Sequence, residues 1–330
     1  MLATLLTIAY LVGTIAFVFL FALYAVWFER KVSAWMQDRL GPMETGGFQG
    51  WLQTIADAVK LLLKEDIIPG KADRPLFRLA PYIVFVGTLG AFAVIPFGAH
   101  LVGSDLNIGL YYVIAISSLV VIGILMAGWS SNNKWSLYGA MRSAAQIVSY
   151  EVPIGLSLLV PVVLAGTLSM QSLVASQAGG FWNWNFLKAP PFGLLAFVIY
   201  FWASVAEVNR IPFDIPEGES ELVAGYATEY SGMRYAMFFL SEYANMFVVS
   251  AIAATLFLGG WSAPFGFLKF IPGPIWFLLK SMALVFIQMW LRWTLPRLRV
   301  DQLMGVCWKV FLPVSFVNLL AVSFWMLWVG

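Results

Sequence analysis

Residues 207–235 read EVNRIPFDIPEGESELVAGYATEYSGMRY, a polar stretch with long apolar runs on both sides. It holds six of the chain's 17 acidic residues, namely Glu207, Asp214, Glu217, Glu219, Glu221 and Glu229. The whole chain of 330 residues is 61% hydrophobic and only 11% charged, whereas a soluble domain carries about 25% charged residues. We therefore predict an all-α, polytopic transmembrane helix bundle in which an acid-dense loop joins two spans.

The apolar runs are long enough to cross a membrane as helices. A span needs about 20 apolar residues to cross about 30 Å of hydrocarbon, and these runs lack the two-residue alternation of barrel strands. We predict one membrane domain, 1–330, with eight spans at about 3–28, 78–98, 108–130, 146–170, 191–207, 237–259, 274–294 and 307–328. The first run has neither a basic n-region nor a small-residue cleavage site, which favours a retained span over a signal peptide.

Basic residues indicate how the chain is oriented. The connections after spans 1, 3, 5 and 7, together with the residues at their edges, hold 16 of the 19 Lys and Arg residues. Cytoplasmic loops of membrane proteins carry such an excess. We therefore predict that connections 29–77, 131–145, 208–236 and 295–306 are cytoplasmic, and that both termini lie on the far side of the membrane because the number of spans is even.

The first connection contains the segment QGWLQTIADAVKLLLKE, residues 49–65. Its polar residues recur at helical spacing and form one stripe, which consists of Gln53, Asp57, Lys60 and Lys64. Its apolar residues recur in the same way and form the opposite stripe, which consists of Leu52, Ile55, Val59 and Leu62. This pattern predicts an amphipathic helix lying in the membrane plane. A surface helix that only shields the bundle is the alternative.

Three acids are predicted to lie within or at the end of spans. Glu151 and Glu242 fall inside apolar runs, and Glu207 ends one. An ionised carboxylate facing lipid is unfavourable by several kcal/mol, so such residues usually face the interior and carry function. The alternative is a carboxyl group that completes a polar network and never titrates.

The acids of the loop at 217, 219 and 221 are two residues apart, and Pro212, Pro216 and Gly218 favour a loop over a helix. In an extended segment these three carboxylates would line one side, repel one another and have raised pKa values. We expect them to share protons as a group. An ordinary solvated acidic loop is the alternative.

Other chemistry is not indicated. The single cysteine, Cys307, and the single histidine, His100, cannot supply a disulfide, the ligands of an iron–sulfur cluster or bis-His haem ligation. The sequence has no phosphate-binding glycine loop, zinc-protease motif, serine–histidine pairing or basic nucleic-acid patch. We therefore expect no metal, haem, flavin or iron–sulfur cluster on this chain and no nucleic-acid partner; any redox centres belong to other subunits.

Several segments resemble the family of quinone-site membrane subunits of proton-pumping NADH:quinone oxidoreductase, respiratory complex I (the H subunit in bacteria). The most specific are GWLQTIADAVKLLLKE at 50–65 and PFDIPEGESELVAGYATEYSGM at 212–233. FERKVSAWMQDRLGP at 28–42, RWTLPRLRVDQLM at 292–304 and the eight-span plan also match, so the resemblance covers nearly the whole chain. Ala227 departs from the family pattern, in which we expect a polar residue such as Asn.

The resemblance implies that a lipid quinone enters from the bilayer as substrate through a tunnel. It implies partners as well: soluble quinone-reducing and iron–sulfur subunits on the cytoplasmic side, small membrane subunits and antiporter-like subunits. The residues that match the tunnel are Glu29, Arg30, Arg39, Asp57, Lys60, Arg142, Phe239, Arg292 and Arg297. Those implied to couple quinone reduction to proton movement are Glu151, Glu207, Asp214, Glu217, Glu219, Glu221, Glu229 and Glu242.

Two other functions compete. A stand-alone secondary transporter predicts internal repeats with interrupted spans in both halves, and the sequence shows neither. A quinone-independent membrane or proton-path subunit of a related hydrogenase or ferredoxin-linked complex is harder to separate, although the 50–65 segment and the basic residues favour a quinone. A purely structural anchor would not need Glu151 and Glu242 within spans.

Overall fold

The computed structural model describes residues 2–216 and 218–329, and these residues form helices and connections without a β-strand. In chain order the helices are α1 (Leu2–Met36), α2 (Gln53–Leu63), α3 (Arg74–Phe92), α4 (Gly109–Ser130), α5 (Lys134–Ala165), α6 (Met170–Ala175), α7 (Asn185–Lys188), α8 (Phe192–Glu207), α9 (Glu219–Leu222), α10 (Gly232–Phe257), α11 (Gly273–Thr294), α12 (Val300–Val306) and α13 (Leu312–Val329). The all-α prediction is confirmed.

Seven helical segments of the described chain are long and apolar enough to cross a membrane. They are α1, α3, α4, α5, α10, α11 and the continuous segment Val300–Trp328, in which a π-helical turn joins α12 to α13. The remaining predicted span, the fifth at 191–207, corresponds to α8, an apolar helix of only 16 residues. Since a membrane interior cannot hydrogen-bond exposed backbone groups, helices of this kind are the expected solution.

Helix α5 begins 12 residues before the predicted span at 146. Asn133 precedes it, and the Asn133 side chain accepts a hydrogen bond from the backbone N–H of Trp135, which satisfies a free donor of the first turn. The helix continues through Pro153 and Pro161 and ends at Gly166, whose φ of +68° suits a residue without a Cβ. Arg142 therefore lies on the same helix as Glu151.

The core is organised around α10. The most apolar 18-residue part of this helix is 72% buried, the largest share among the candidate spans. It packs against α1, α3, α8 and α11. Apolar side chains from these helices form one continuous core, so α10 can hold polar side chains at fixed positions inside the bundle.

The acidic loop folds back onto the bundle instead of extending into solvent. Gly225 approaches Gly139 of α5 so closely that a Cβ on Gly139 would lie 2.8 Å from the Gly225 Cα atom. Ser136 donates to the carbonyl oxygens of Gly225 and Tyr226. The Tyr230 ring stacks on Phe77 of α3, with centroids 4.0 Å apart and planes 2° from parallel.

The amphipathic helix α2 begins at Gln53, four residues later than predicted. The preceding residues Gly46, Gly47, Gln49 and Gly50 have positive φ angles, which a right-handed helix cannot accommodate. Arg30 of α1 pairs with Asp57 of α2 at 2.7 Å, so this part of the polar stripe faces the bundle, whereas Lys60 and Lys64 are exposed. The apolar residues Ile55, Val59 and Leu62 are 44%, 48% and 62% exposed and face outward.

Candidate functional site

A buried group of charged side chains lies where the acidic loop meets α1, α10 and α11. At its centre is Arg210, which is 2% exposed. Its Nη1 atom donates to both carboxylate oxygens of Glu29 at 2.8 Å, and its Nε atom lies 2.8 Å from Glu242 Oε1. Arg292 also pairs with Glu29, and the Tyr243 hydroxyl donates to Glu29 Oε2 at 2.7 Å. We call these five residues the ion-pair cluster.

The formal charges of the ion-pair cluster cancel, because it contains two arginines and two glutamates. Burial alone would lower the pKa of the Arg210 guanidinium, but Glu29 and Glu242 outweigh it and hold that pKa well above its ordinary value. The guanidinium also lies 4.5 Å from the centroid of the Tyr243 ring. Buried charges persist only when paired in this way, so removal of any one of these charges leaves its partner uncompensated.

A narrow cavity lies along α10 from this cluster, and its lining includes two more of the predicted acids. Glu151 comes from α5 and Glu207 from the end of α8, with Asn245 of α10 and Ser117 of α4 as further polar groups. The remaining lining is mainly Val, Ile and Leu. The space open to the centre of a water-sized sphere is about 20 Å³. We call this space the acidic cavity.

The carboxyl group of Glu151 is incompletely satisfied in the acidic cavity. Its Oε1 atom is buried and has no hydrogen-bond partner among the described residues. Buried polar atoms are almost always hydrogen-bonded to protein or to ordered water. The cavity therefore needs a further polar occupant, and proton exchange is the chemistry that two facing carboxyl groups can support.

Glu221 contradicts the expectation of a buried acid cluster with raised pKa values. Its side chain is 51% exposed and pairs with Arg142 of α5. The hydrogen bond from Arg142 lowers the pKa of the Glu221 carboxyl below its ordinary value. The prediction was wrong because it considered only the neighbouring acids, whereas a cation from another helix stabilises the carboxylate.

The loop geometry also differs from the predicted extended segment. The backbone of Glu219–Leu222 forms the single helical turn α9, whereas an extended segment was predicted. Glu217 lies outside the described residues. The Arg297 guanidinium packs against Gly218 so closely that a Cβ there would not fit, and its Nη2 atom donates to the Ile215 carbonyl at 3.4 Å.

The other two acids of the loop have different surroundings. Glu229 accepts a hydrogen bond from Asn133 Nδ2 at 2.6 Å, which ties the loop to the start of α5. Asp214 is half-buried and close enough to Glu242 for their charges to interact. Beside Glu229, burial raises the pKa of the Tyr230 hydroxyl to about 12, and this hydroxyl donates to the Phe77 carbonyl. Glu229 and Tyr230 thus anchor the loop.

The residues matched to a tunnel lie in four different surroundings. Glu29 and Arg292 belong to the ion-pair cluster, and Phe239 packs one turn from it, with its ring centroid 4.9 Å from that of Tyr243. Arg30 and Asp57 form the contact between α1 and α2. Further out, Lys60 and Arg39 are exposed, and Arg39 donates to the side chains of Gln37 and Ser33. Arg142 and Arg297 contact the loop at residues 215–221.

Three residues that build these sites were missed by sequence reasoning. Arg210 was counted only as a topology signal, and Tyr243 and Asn245 were not considered. The sequence does contain a signal for Arg210. An ionised acid within apolar spans needs a cation as partner, and Arg210 is the nearest basic residue after Glu207. Nothing in the sequence singles out Asn245, because only the packed structure brings it to the acidic cavity.

The described residues contain no group of three or more His, Cys, Asp and Glu side chains arranged to hold a metal ion. Cys307 is buried, and its thiol donates to the Ser149 carbonyl at 3.1 Å.

Comparison with known proteins gives matches over nearly the whole chain. The family model described as "NADH dehydrogenase" matches residues 9–323. The H subunit of NADH-quinone oxidoreductase from Chlorobaculum tepidum is 56% identical over 326 residues, which cover 95% of this chain and 90% of that protein. The corresponding protein of Anaeromyxobacter dehalogenans is 51% identical over 324 residues, covering 92% and 78%. That of Paraburkholderia xenovorans is 50% identical over 312 residues, covering 92% and 87%.

Proposed function

This chain belongs to the NADH dehydrogenase family that includes the H subunit of NADH-quinone oxidoreductase, and from that premise we propose that it forms a lipid-open quinone tunnel and couples quinone reduction to proton translocation. It is a multi-pass membrane subunit of that oxidoreductase complex. The observation that carries the proposal is the ion-pair cluster, because it connects the acidic loop, the first helix and the helix that lines the acidic cavity.

The tunnel entrance is proposed at α1 and α2. A lipid quinone has a long apolar tail and a polar head group, so it needs an apolar surface that continues from the bilayer to polar residues. The outward residues Ile55, Val59 and Leu62 supply such a surface, and the Arg30–Asp57 pair lies on the opposite, inner side of α2. The head group moves inward past Phe239 toward the ion-pair cluster.

Coupling is proposed to be electrostatic. Reduction of the quinone adds negative charge or takes up protons beside Glu29, Arg210 and Glu242. Two unit charges 4 Å apart interact by about 4 kcal/mol at an effective dielectric constant of 20, and about 1.4 kcal/mol corresponds to one pKa unit. A charge change of this size redistributes protons among the cluster acids, and Glu207 and Glu151 pass them on toward antiporter-like subunits.

The partners follow from the same proposal. The quinone-reducing and iron–sulfur subunits dock on the side of the basic connections, and the small membrane subunits and antiporter-like subunits lie beside the bundle. The electron carriers belong to those soluble subunits. The charged connections are on the cytoplasmic side of a bacterial inner membrane, with both termini on the other side, as the excess of basic residues supports.

Photo-crosslinking tests the tunnel. A photoreactive quinone-site inhibitor analogue is added to the intact complex, and the labelled peptides are mapped. We expect labelling within 28–65 or 217–242 that excess unlabelled quinone prevents. Labelling confined to other segments, or labelling that quinone does not prevent, contradicts the tunnel and favours the quinone-independent membrane subunit instead.

Replacement of the cavity acids tests the coupling. Glu151→Gln and Glu207→Gln remove a proton-carrying group while nearly preserving side-chain volume. We expect each to slow quinone-linked turnover about tenfold or more, or to lower the number of protons moved per NADH, whereas the exposed Glu44→Gln changes neither. Glu217→Gln and Glu219→Gln extend the test to the loop. Unchanged turnover and proton stoichiometry in the cavity variants would contradict the coupling role.

A further inference from the structure

Asn245 connects the two polar sites along one face of α10. It follows Glu242 by three residues, so the two side chains lie on the same face of the helix, about one turn apart. Glu242 belongs to the ion-pair cluster and Asn245 lines the acidic cavity. Both positions are held by the most buried helix of the described bundle.

Asn245 is a buried residue whose carboxamide has no direct hydrogen-bond partner among the described residues. The residue is only 8% exposed, and no hydrogen bond joins its side chain to any other residue in the part of the chain that the structure describes. A carboxamide has two N–H donors and an acceptor oxygen, and a buried group of this kind is almost always satisfied by protein or by water. Its side chain lines the acidic cavity, so the cavity must hold what satisfies it.

The acidic cavity has the size and the polar partners that one water molecule requires. Its open space of about 20 Å³ exceeds the roughly 10–15 Å³ that a buried water needs, and such a water makes two to four hydrogen bonds. Four polar groups besides Asn245 line the cavity: the carboxyl groups of Glu151 and Glu207 and the hydroxyl groups of Ser117 and Tyr200. The two hydroxyl groups donate to the carbonyl oxygens of Ile114 and Val249, so their lone pairs remain free to accept. Glu151 Oε1 has no other partner among the described residues.

We propose that Asn245 holds one water molecule between Glu207 and Glu151 and thereby positions it for proton transfer between the two carboxyl groups. The water accepts a proton from one carboxyl group and donates another proton to the opposite carboxylate. Water is regenerated, and the net change is the movement of one proton. This inference rests on the proposed coupling role of the two glutamates and assigns a positioning residue to it.

An asparagine suits this task better than a charged residue. Its amide both donates and accepts hydrogen bonds and does not titrate, so it can hold the water whichever carboxyl group carries the proton. A leucine of similar size would fill the position but could not orient water. A serine would still offer a hydroxyl group and leave room for a second water.

The experiment compares Asn245→Leu and Asn245→Ser with Asn318→Leu in the whole complex reconstituted into liposomes. Asn318 is the matched control, because it is a buried asparagine, 3% exposed, that donates to Phe192 O and does not line the acidic cavity. Quinone-linked turnover, KM for quinone, proton translocation, NADH oxidation by a water-soluble electron acceptor, and infrared difference spectra in H₂¹⁶O and H₂¹⁸O are measured.

For Asn245→Leu we expect about a tenfold or larger loss of quinone-linked turnover with KM for quinone and oxidation by the soluble acceptor unchanged. The wild-type complex should show an infrared band of a weakly hydrogen-bonded water that shifts in H₂¹⁸O, and this band should disappear in Asn245→Leu. Asn245→Ser should retain the band and most of the turnover. Asn318→Leu should lower thermal stability without affecting turnover or the band.

Several outcomes overturn the inference: wild-type turnover in Asn245→Leu, equal slowing by Asn318→Leu, or no isotope-sensitive water band in the wild-type complex. The last of these remains decisive if Asn245→Leu fails to assemble, because it is measured on the wild-type complex. If Glu151→Gln and Glu207→Gln lose turnover while Asn245→Leu keeps it, only the water-positioning inference fails. If the two glutamine variants also keep it, the coupling role itself fails.

Discussion

At the scale of single residues, Arg210 is the side chain on which most of the buried charge depends. It neutralises Glu29 and Glu242 together, and it lies in a loop while both partners lie on long helices. Removal of one member of a buried charge pair leaves an uncompensated charge, which is destabilising by about 3–5 kcal/mol. The role of charge balance in the cluster can therefore be tested by removing Arg210 alone and by removing it together with one of its two partners.

Arg210→Met should therefore destabilise the protein by about 3–5 kcal/mol and lower the thermal unfolding midpoint of the complex. The double variant Arg210→Met with Glu242→Gln restores equal numbers of charges, Glu29 against Arg292, and should recover part of that loss. The exposed Arg299→Met is the control and should have little effect. If the double variant is as unstable as Arg210→Met alone, charge balance is not the source of the effect.

Lys280 provides a second residue-scale test, at the opposite end of α10. Its ammonium group donates to the carbonyl oxygens of Leu258, Gly260 and Ser262 at 2.7, 2.9 and 2.7 Å and lies 4.1 Å from the centroid of the Trp184 ring. Lys280→Met keeps the apolar stem but leaves these acceptors without their donor, which should reduce stability by roughly 1–3 kcal/mol. Thermal unfolding measures this, with the exposed Lys269→Met as control; equal effects would contradict it.

The sequence indicates which residue types carry function in this chain, but it does not indicate which side chains contact one another. Glu151, Glu207 and Glu242 stood out because acids are rare in apolar runs, and two of them line one cavity. Glu221 was assigned to a proton-sharing group because only its chain neighbours were considered, and its actual partner, Arg142, is 79 residues away. Contacts between helices are determined by how the helices pack, and the spacing of residues along the sequence does not reveal that packing.

At the scale of elements, the short turn α9 depends on its contact with α5. The Arg142–Glu221 pair joins the two, and the N–H groups of Glu221 and Leu222 donate to the Gly218 carbonyl. Because Glu221 is half exposed, this pair contributes at most about 1 kcal/mol and is screened by salt. The turn should therefore be locally weaker than the helices it connects.

Glu221→Gln should speed hydrogen exchange of the amides at 218–222 a few-fold, and high salt should produce a similar change in the wild type. The sign of the pH effect follows from the lowered pKa of Glu221. The contribution of the pair is complete above the ordinary carboxyl pKa and is lost only as pH falls through the lowered value. Exchange, corrected for its intrinsic pH dependence, should stay constant between pH 8 and pH 6; a change there would show that another group controls the turn. Glu44→Gln serves as control.

The elements themselves were predictable to different degrees. Long apolar runs identify their helices because a spanning helix has few alternatives. The start of α2 was misplaced because the prediction used side-chain periodicity, whereas the positive φ angles at 46–50 are a property of the backbone. The turn α9 was predicted as an extended loop because prolines and a glycine precede it, although they do not prevent a helix from starting after them.

At the scale of the whole molecule, the topology depends on α8. At 16 residues and 1.5 Å per residue, it is about 24 Å long, shorter than the roughly 30 Å of hydrocarbon. It packs against α5, α10 and α13, so neighbouring helices cover much of its surface. If α8 does not cross the membrane, every connection after it lies on the side opposite to the predicted one.

Single-cysteine labelling decides this point. Between positions 44 and 267 lie α3, α4, α5, α8 and α10, so the two positions are on opposite sides if α8 crosses and on the same side if it does not. Both residues are exposed, and the native Cys307 is buried, which keeps the background low. In vesicles washed free of peripheral subunits, a membrane-impermeant maleimide should label Glu44→Cys from the cytoplasmic face and Phe267→Cys from the other face, with the parent chain unlabelled. Labelling of both from one face would mean that α8 does not cross the membrane and that every connection after it lies on the side opposite to the predicted one.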